Sequence, residues 1–252
     1  FDSKNGFRLN GRTVKMKGGC VHHDNGPLGA AAYDDAEERR VRILKDAGFN
    51  AIRCAHNPPS PAFLNACDRL GMLVIDEAFD CWRLGKNPFD YHIYFADWWK
   101  RDLESMIDRD YNHPSIIIWS VGNEVIERDG SSGGAEICRA LADYARSLDA
   151  SRPITIASNN IIVLSDEVED ANWAANLKMD EVSEQNDLFG ERSKDVFDSL
   201  DIAGYNYMIN RYGFDQKKFP ERIIIGTETF PHTHYDNWKE TVAHDNVIGD
   251  FV

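Results

Sequence analysis

The sequence predicts an α/β protein folded as a single (β/α)8 barrel, a TIM barrel, and three observations carry that expectation. Short, β-branched apolar runs alternate with amphipathic stretches along the whole chain. That alternation is the pattern of parallel strands joined by helices. The chain has 252 residues, and one such barrel takes roughly 250. Run after run ends in polar or charged residues, and barrels of this kind keep their chemistry at the C-terminal ends of their strands.

The elements follow in order. Phe7-Arg8-Leu9 and residues 13–16 flank Asn10-Gly11, the pair that favours a tight hairpin. The second arm runs on into the first barrel strand, 18–21, with His22, His23 and Asp24 at its tip. Residues 34–47 predict a helix: acidic residues crowd its start, Val41, Leu44 and Ala47 share a face, and Gly48 stops it. Residues 51–54 form strand two and lead into Ala55-His56-Asn57-Pro58-Pro59. Ser60 then caps a helix with Pro61 at its first position and Gly71 past its end. Strand three, 72–75, ends in Asp76-Glu77, and a helix over 97–111 carries Trp98, Leu103, Met106 and Ile107.

His113-Pro114 precedes the most apolar run, 115–121, which ends in Gly122-Asn123-Glu124. A run this apolar suits a strand buried on both faces. A helix over 135–148 and strand five, 154–157, follow. Residues 158–190 mix acidic residues and asparagines with Trp173 and Leu177, and read as a long decorated loop with a helical piece. Residues 196–200 lead into strand six, 202–205, tipped by Asn206 and Tyr207. Strand seven, 223–227, ends at Glu228, a short helix covers 238–244, and 247–252 opens strand eight. With no eighth helix, one flank should be uncovered, and the chain is expected to be an excerpt of a longer polypeptide, truncated at or just after strand eight. A doubly wound open sheet is the structural alternative. No GxGxxG follows the first strand, which weakens a nucleotide-binding reading.

Composition narrows the function classes. A net charge of −14 disfavours nucleic acid and acidic membrane surfaces as partners. No apolar run is long enough to span a bilayer. The five cysteines are scattered without a CxxC pair, so they suggest neither a zinc site nor a disulfide framework. Phe1 in place of Met points to a removed N-terminus, which leaves the compartment open between bacterial cytoplasm and periplasm.

In a closed barrel the strand ends meet at one mouth. They bring His22, Asp24, Arg53, His56, Glu77, Asp80, Asn123, Glu124, Tyr207 and Glu228. Two carboxylates from distant strands, Glu124 and Glu228, are the pair that glycoside hydrolysis needs. One protonates the leaving oxygen while the other attacks the anomeric carbon or activates water, so their environments must differ. Arg53 is a cation able to keep the nucleophile ionised. A metal-dependent barrel hydrolase is a rival, but it places His-x-His on the first strand, and adjacent histidines point to opposite sides. A polymer-cleaving endo-hydrolase and a non-catalytic carbohydrate-binding scaffold are the others.

Five motifs, in order and spread over nearly the whole chain, resemble the catalytic barrel of glycoside hydrolase family 2, the family of β-galactosidases, β-glucuronidases and β-mannosidases. They are Gly-Gly-Cys-Val-His-His-Asp (18–24), Asn-Ala-Ile-Arg-Cys-Ala-His-Asn-Pro-Pro (50–59), Leu-Val-Ile-Asp-Glu-Ala (73–78), Ile-Trp-Ser-Val-Gly-Asn-Glu (118–124) and Gly-Thr-Glu (226–228). The resemblance implies a retaining double displacement on a carbohydrate substrate, β-galactosides first, with no cofactor. It makes Glu124 the acid/base and Glu228 the nucleophile. Asn123 would bond the sugar 2-hydroxyl, Tyr207 would hydrogen-bond Glu228, and His22 and His56 would contact the sugar. Arg53 would support Glu228, and Asp24, Asp80 and Trp82 would line the substrate pocket. Some members bind magnesium through a carboxylate just after the third strand; Cys81 occupies that position here, so no metal is carried over. The resemblance further implies N-terminal jelly-roll and immunoglobulin-like domains in the parent chain and a possible homo-oligomer.

Overall fold

In the structure, a computed structural model, residues 1–160, 182–183 and 187–252 are described. A two-stranded hairpin, β1 (Arg8–Leu9) and β2 (Arg12–Thr13), precedes the barrel. The barrel strands are β3 (Met16–His22), β4 (Ala51–Ala55), β5 (Leu73–Glu77), β6 (Ile116–Asn123), β7 (Ile154–Ser158), β8 (Ala203–Asn206), β9 (Ile224–Glu228) and β10 (Val247–Phe251). They pair in parallel in chain order and close when β10 pairs with β3. The closed barrel replaces the open-sheet alternative. Strands such as β4, β7 and β10 are buried along their whole length, which is why they stood out as apolar runs; β3 is the exception, with Lys17 and His22 exposed.

The helices on the outside are α1 (Asp34–Asp46), α2 (Pro61–Leu70), α3 (His92–Asp110), α4 (Gly134–Leu148), α5 (Leu188–Arg192), α6 (Lys194–Phe197), α7 (Tyr212–Lys218) and α8 (His234–Ala243). α2 follows its sequence signals closely. The Ser60 hydroxyl accepts from the Phe63 amide at 3.2 Å, and Gly71 takes the left-handed conformation at its end. α3 starts five residues earlier than the periodicity suggests, because Asp90 gathers the amides of Lys86, Asn87 and His92. α5, α6 and α7 were not separately legible; they span only four to seven residues, too short for a helical period to show. Most of the loop expected over 158–190, with Trp173 and Leu177, lies outside the described residues.

Two apolar layers hold the barrel. One packs the helices on the strands, with Val41, Phe63, Leu64, Leu103, Trp119 and Leu141 among its members. The other fills the interior with Met16, Ala51, Ile75, Ile118, Ile202, Ile225, Ile248 and Phe251, with Phe7 of the hairpin segment joining them. Gly18 makes room for this filling: a Cβ there would stand 2.1 Å from the Phe251 ring. On the flank expected to be open, a groove of about 250 Å³ runs between α1 and α8, lined by Phe49, Trp238 and Val252 among others. No helix among the described residues is long and apolar enough to cross a membrane.

Candidate active site

The mouth is built on Arg53, which is fully buried in the middle of β4. All five of its N–H groups find acceptors. Nε and Nη2 grip the two oxygens of Glu77 at 3.0 and 2.9 Å. Nη2 also donates to Asn123 Oδ1 at 2.7 Å. Nη1 donates to the Thr227 carbonyl and to Glu228 Oε2, both at 3.1 Å. A planar guanidinium held bidentately is a rigid reference point, and here it ties β4, β5, β6 and β9 together. Glu77 is completed by the Ser120 hydroxyl at 2.7 Å and by His56 Nδ1 at 2.8 Å. The His56 proton is thereby assigned to Nδ1, which leaves Nε2 as the acceptor that faces Asn123 Nδ2 at 3.4 Å. Burial alone would raise the Glu77 pKa; Arg53 and His56 outweigh it and hold the carboxyl below its ordinary value.

Glu124 and Glu228 meet across this hub. Asn206 Nδ2 stands 3.0 Å from Glu124 Oε1 and 3.3 Å from Glu228 Oε2. Since both contacts share one nitrogen, those facing oxygens are no more than about 6.3 Å apart, just under the roughly 6.5 Å at which inverting spacings begin. The Asn206 amide is oriented by the Thr227 hydroxyl, which donates to its Oδ1 at 2.6 Å. The Tyr207 hydroxyl donates to Glu228 Oε1. Glu228 thus accepts from a guanidinium, an amide and a phenol, a donor set suited to an ionised carboxylate.

The two carboxylates differ in surroundings. Burial raises the pKa of Glu124; the bond from Asn206 opposes that, the charge of Glu228 adds to it, and Lys86 and Arg128 pull it back in part. The net direction is upward, toward a carboxyl that keeps its proton to higher pH.

Backbone geometry explains how adjacent residues share the mouth. Glu124 has φ 44° and Tyr207 φ 60°, in the left-handed region that costs a non-glycine residue of order 1–3 kcal/mol and concentrates at functional sites. The turn breaks strand alternation, so Asn123 and Glu124 both face the centre, as do Asn206 and Tyr207. Sequence reasoning singled out Tyr207 and passed over Asn206, Ser120 and Thr227. The signal for Asn206 was only its place at a strand tip.

The other expected residues divide. His22 and His56 meet edge to face with ring centroids 5.1 Å apart. Asp80 accepts from Asn123 Nδ2 at 2.8 Å and pairs with Lys86 at 2.6 Å. Asp24 is not brought to the carboxylates: its side chain caps a turn by accepting from the Gly26 amide at 2.8 Å. Trp82 is corrected outright. It is 0% exposed, donates to the Val121 carbonyl at 2.9 Å and lies against Gly122, so it backs the end of β6 and offers no face to a sugar. Trp238 lines the groove on the barrel flank. Cys81 is buried, with its thiol on Asp90 at 3.3 Å.

Comparison with known proteins agrees with this architecture. The family profile described as "Glycosyl hydrolases family 2, TIM barrel domain" matches residues 3–201. The chain is 37% identical to the Bacteroides ovatus protein named Beta-galactosidase BoGH2A, over 91% of this chain and 27% of that protein. It is 40% identical to a Putative beta-glucuronidase of Formosa agariphila, over 64% of this chain and 15% of that protein. A crystal structure of a glycosyl hydrolase family 2 member from Bacteroides cellulosilyticus superposes with a TM-score of 0.86 at 48% identity, covering all of this chain and 29% of that one. The chain thus spans between about a seventh and a third of the length of these relatives. With the family profile over most of the sequence and the barrel closed on the same plan, this chain belongs to glycoside hydrolase family 2 and forms its TIM-barrel domain.

Proposed function

We propose that the protein is a retaining exo-β-glycosidase that removes terminal β-linked sugars, β-galactosides first, through a covalent glycosyl-enzyme. The observation that supports the retaining mechanism is the shared Asn206 nitrogen, which keeps the facing oxygens of Glu124 and Glu228 no more than about 6.3 Å apart, below the roughly 6.5–9.5 Å of inverting pairs. Glu124, with its pKa raised by burial, protonates the glycosidic oxygen. Glu228, held by Arg53, Asn206 and Tyr207, attacks the anomeric carbon from the opposite face. Glu124, now ionised, takes the proton of the water that releases the sugar.

Asn123 is fixed for substrate. Its Oδ1 accepts from Arg53 and from Asn206 at 3.1 Å, and one N–H is given to Asp80. The other N–H faces His56 Nε2 at a long 3.4 Å, a weak bond that a sugar 2-hydroxyl can replace. The β-galactoside reading is supported by the name of the Bacteroides ovatus relative. A β-glucuronide reading has its own support in the Formosa agariphila relative.

A panel of nitrophenyl glycosides decides between them, using the full-length protein and holding β-galactoside, β-glucuronide, β-mannoside, β-glucoside and their α-anomers. Cleavage of one β-anomer, lost in Glu228→Gln, is the expected result. Cleavage of β-mannan or cellulose with none of the small glycosides would instead favour an endo-acting enzyme.

A further inference from the structure

Asn206 faces more acceptors than it has protons to give. It ends β8 in register with Glu228 of β9 and is wholly buried. Its Nδ2 stands 3.0 Å from Glu124 Oε1, 3.1 Å from Asn123 Oδ1 and 3.3 Å from Glu228 Oε2. The Asn123 oxygen is fixed as an acceptor because Arg53 donates to it. The Asn206 amide is fixed in the same way. Turned over, its oxygen would face those three oxygens, and its nitrogen would face the Thr227 hydroxyl. A primary amide has two N–H groups, so three acceptors compete for two protons. Asn123 Oδ1 is neutral and is served by Arg53 as well, so the competition that counts is between the carboxylates.

In a double displacement such a pair carries one negative charge throughout, and only its place changes. Glu228 starts ionised and Glu124 protonated. As Glu228 bonds to the anomeric carbon, the glycosidic bond breaks with its electrons on the leaving oxygen, which takes the Glu124 proton. The charge then lies on Glu124. Water next gives its proton to Glu124 and its oxygen to the anomeric carbon, and the ester C–O bond breaks with its electron pair returning to Glu228. A hydrogen bond to an ionised acceptor is roughly twice as strong as one to a neutral acceptor. An amide in reach of both oxygens therefore bonds whichever is charged, and at 3.0 and 3.3 Å it does so without leaving its place. Arg53 and Tyr207 also donate to Glu228, but among the described residues Asn206 is the donor that bonds both carboxylates.

We propose that Asn206 is a positioning residue whose amide follows the negative charge, serving Glu228 in the free enzyme and Glu124 in the glycosyl-enzyme. This rests on the retaining reading above. The charged and titratable groups around Glu124 among the described residues are Glu228, Lys86, Arg128 and the Tyr207 phenol. Of these, Glu228 is the one that loses its charge when the ester forms. That loss favours the ionised form of Glu124, and the transferred N–H bond favours it further.

The test reads the Glu124 pKa twice in the full-length protein, on aryl glycosides of the sugar that the panel identifies. The alkaline limb of kcat/KM on a substrate with a poor leaving group reports the free enzyme. The acid limb of kcat on a dinitrophenyl glycoside, where a burst shows that sugar release limits, reports the glycosyl-enzyme. The native limbs should be separated, the second lying at lower pH. In Asn206→Ala the gap should narrow by about one pH unit, the difference between a charge-assisted and an ordinary hydrogen bond. A purely structural role would lower the rates and leave the gap. An unchanged gap in Asn206→Ala, or no gap in the native protein, overturns the proposal while the glycosidase reading stands. If Asn206→Ala does not fold, Thr227→Val decides. It keeps the amide but removes the donor that orients it, so a smaller narrowing supports the proposal and an unchanged gap overturns it. Cleavage of neither substrate by the native protein overturns both readings.

Discussion

Glu228→Ala is expected to lower kcat by about four to six orders of magnitude, the scale on which enzymes lose a covalent nucleophile. Among the described residues, neither neighbouring glutamate can substitute for it. Glu124 is on the other side of the Asn206 bridge, and Glu77 is fully buried with both oxygens occupied by Arg53, His56 and Ser120. The variant should still fold, because Arg53 keeps its bidentate hold on Glu77 and its bonds to Asn123 and the Thr227 carbonyl. The shortened side chain leaves room for a small anion on the attacking face. Added azide should therefore restore turnover of activated substrates and give the glycosyl azide of inverted configuration. Activity within about tenfold of the native enzyme would remove Glu228 from the nucleophile's role.

The second large effect belongs to Glu124. Its replacement by alanine should cost about 10²–10⁴-fold with poor leaving groups, the usual contribution of general acid–base catalysis. An activated leaving group needs little protonation, so the first step should suffer much less with dinitrophenyl substrates. Azide should then intercept the glycosyl-enzyme and give a product of retained configuration, the opposite of the Glu228 variant. The pH profile supplies an independent reading. An acid works only while protonated, so activity is present below its pKa and lost as pH rises through it. Burial raises the Glu124 pKa above the ordinary carboxyl value, so the alkaline limb of kcat/KM should lie above that value, and it should vanish in Glu124→Ala. Equal losses with activated and unactivated substrates would contradict the assignment.

Most of the barrel was legible because strands such as β4, β6 and β7 are buried along nearly their whole length and read as apolar runs, whereas β3, with Lys17 and His22 exposed, is not of that kind. α2 was legible from its Ser60 cap and Gly71 stop. α5, α6 and α7 were not, because tertiary contacts hold them in place of a repeating apolar face; α7, for one, is pinned by the buried Arg211–Asp187 pair at its start and by the Tyr205 hydroxyl on Asp215. At the mouth, Asn123, Glu124, Tyr207 and Glu228 fall at or just past strand ends, and the structure gathers them around Arg53 inside β4. Asn206 was missed for a specific reason: alternation assigns it to the side away from Tyr207, and the positive φ at Tyr207 breaks alternation there. Trp82, expected from the resemblance to line the substrate pocket, is wholly buried. Only the packing shows that it fills the space beside Gly122.

The most direct test of the double displacement is to trap its intermediate. The full-length protein would be treated with the 2-deoxy-2-fluoro β-glycosyl fluoride of the sugar it cleaves, digested, and examined by mass spectrometry. One sugar residue bound through an ester to Glu228 is expected, with no label in Glu228→Gln. A label on any other carboxylate, or steady cleavage of the true substrate with inversion and no label at all, would contradict it.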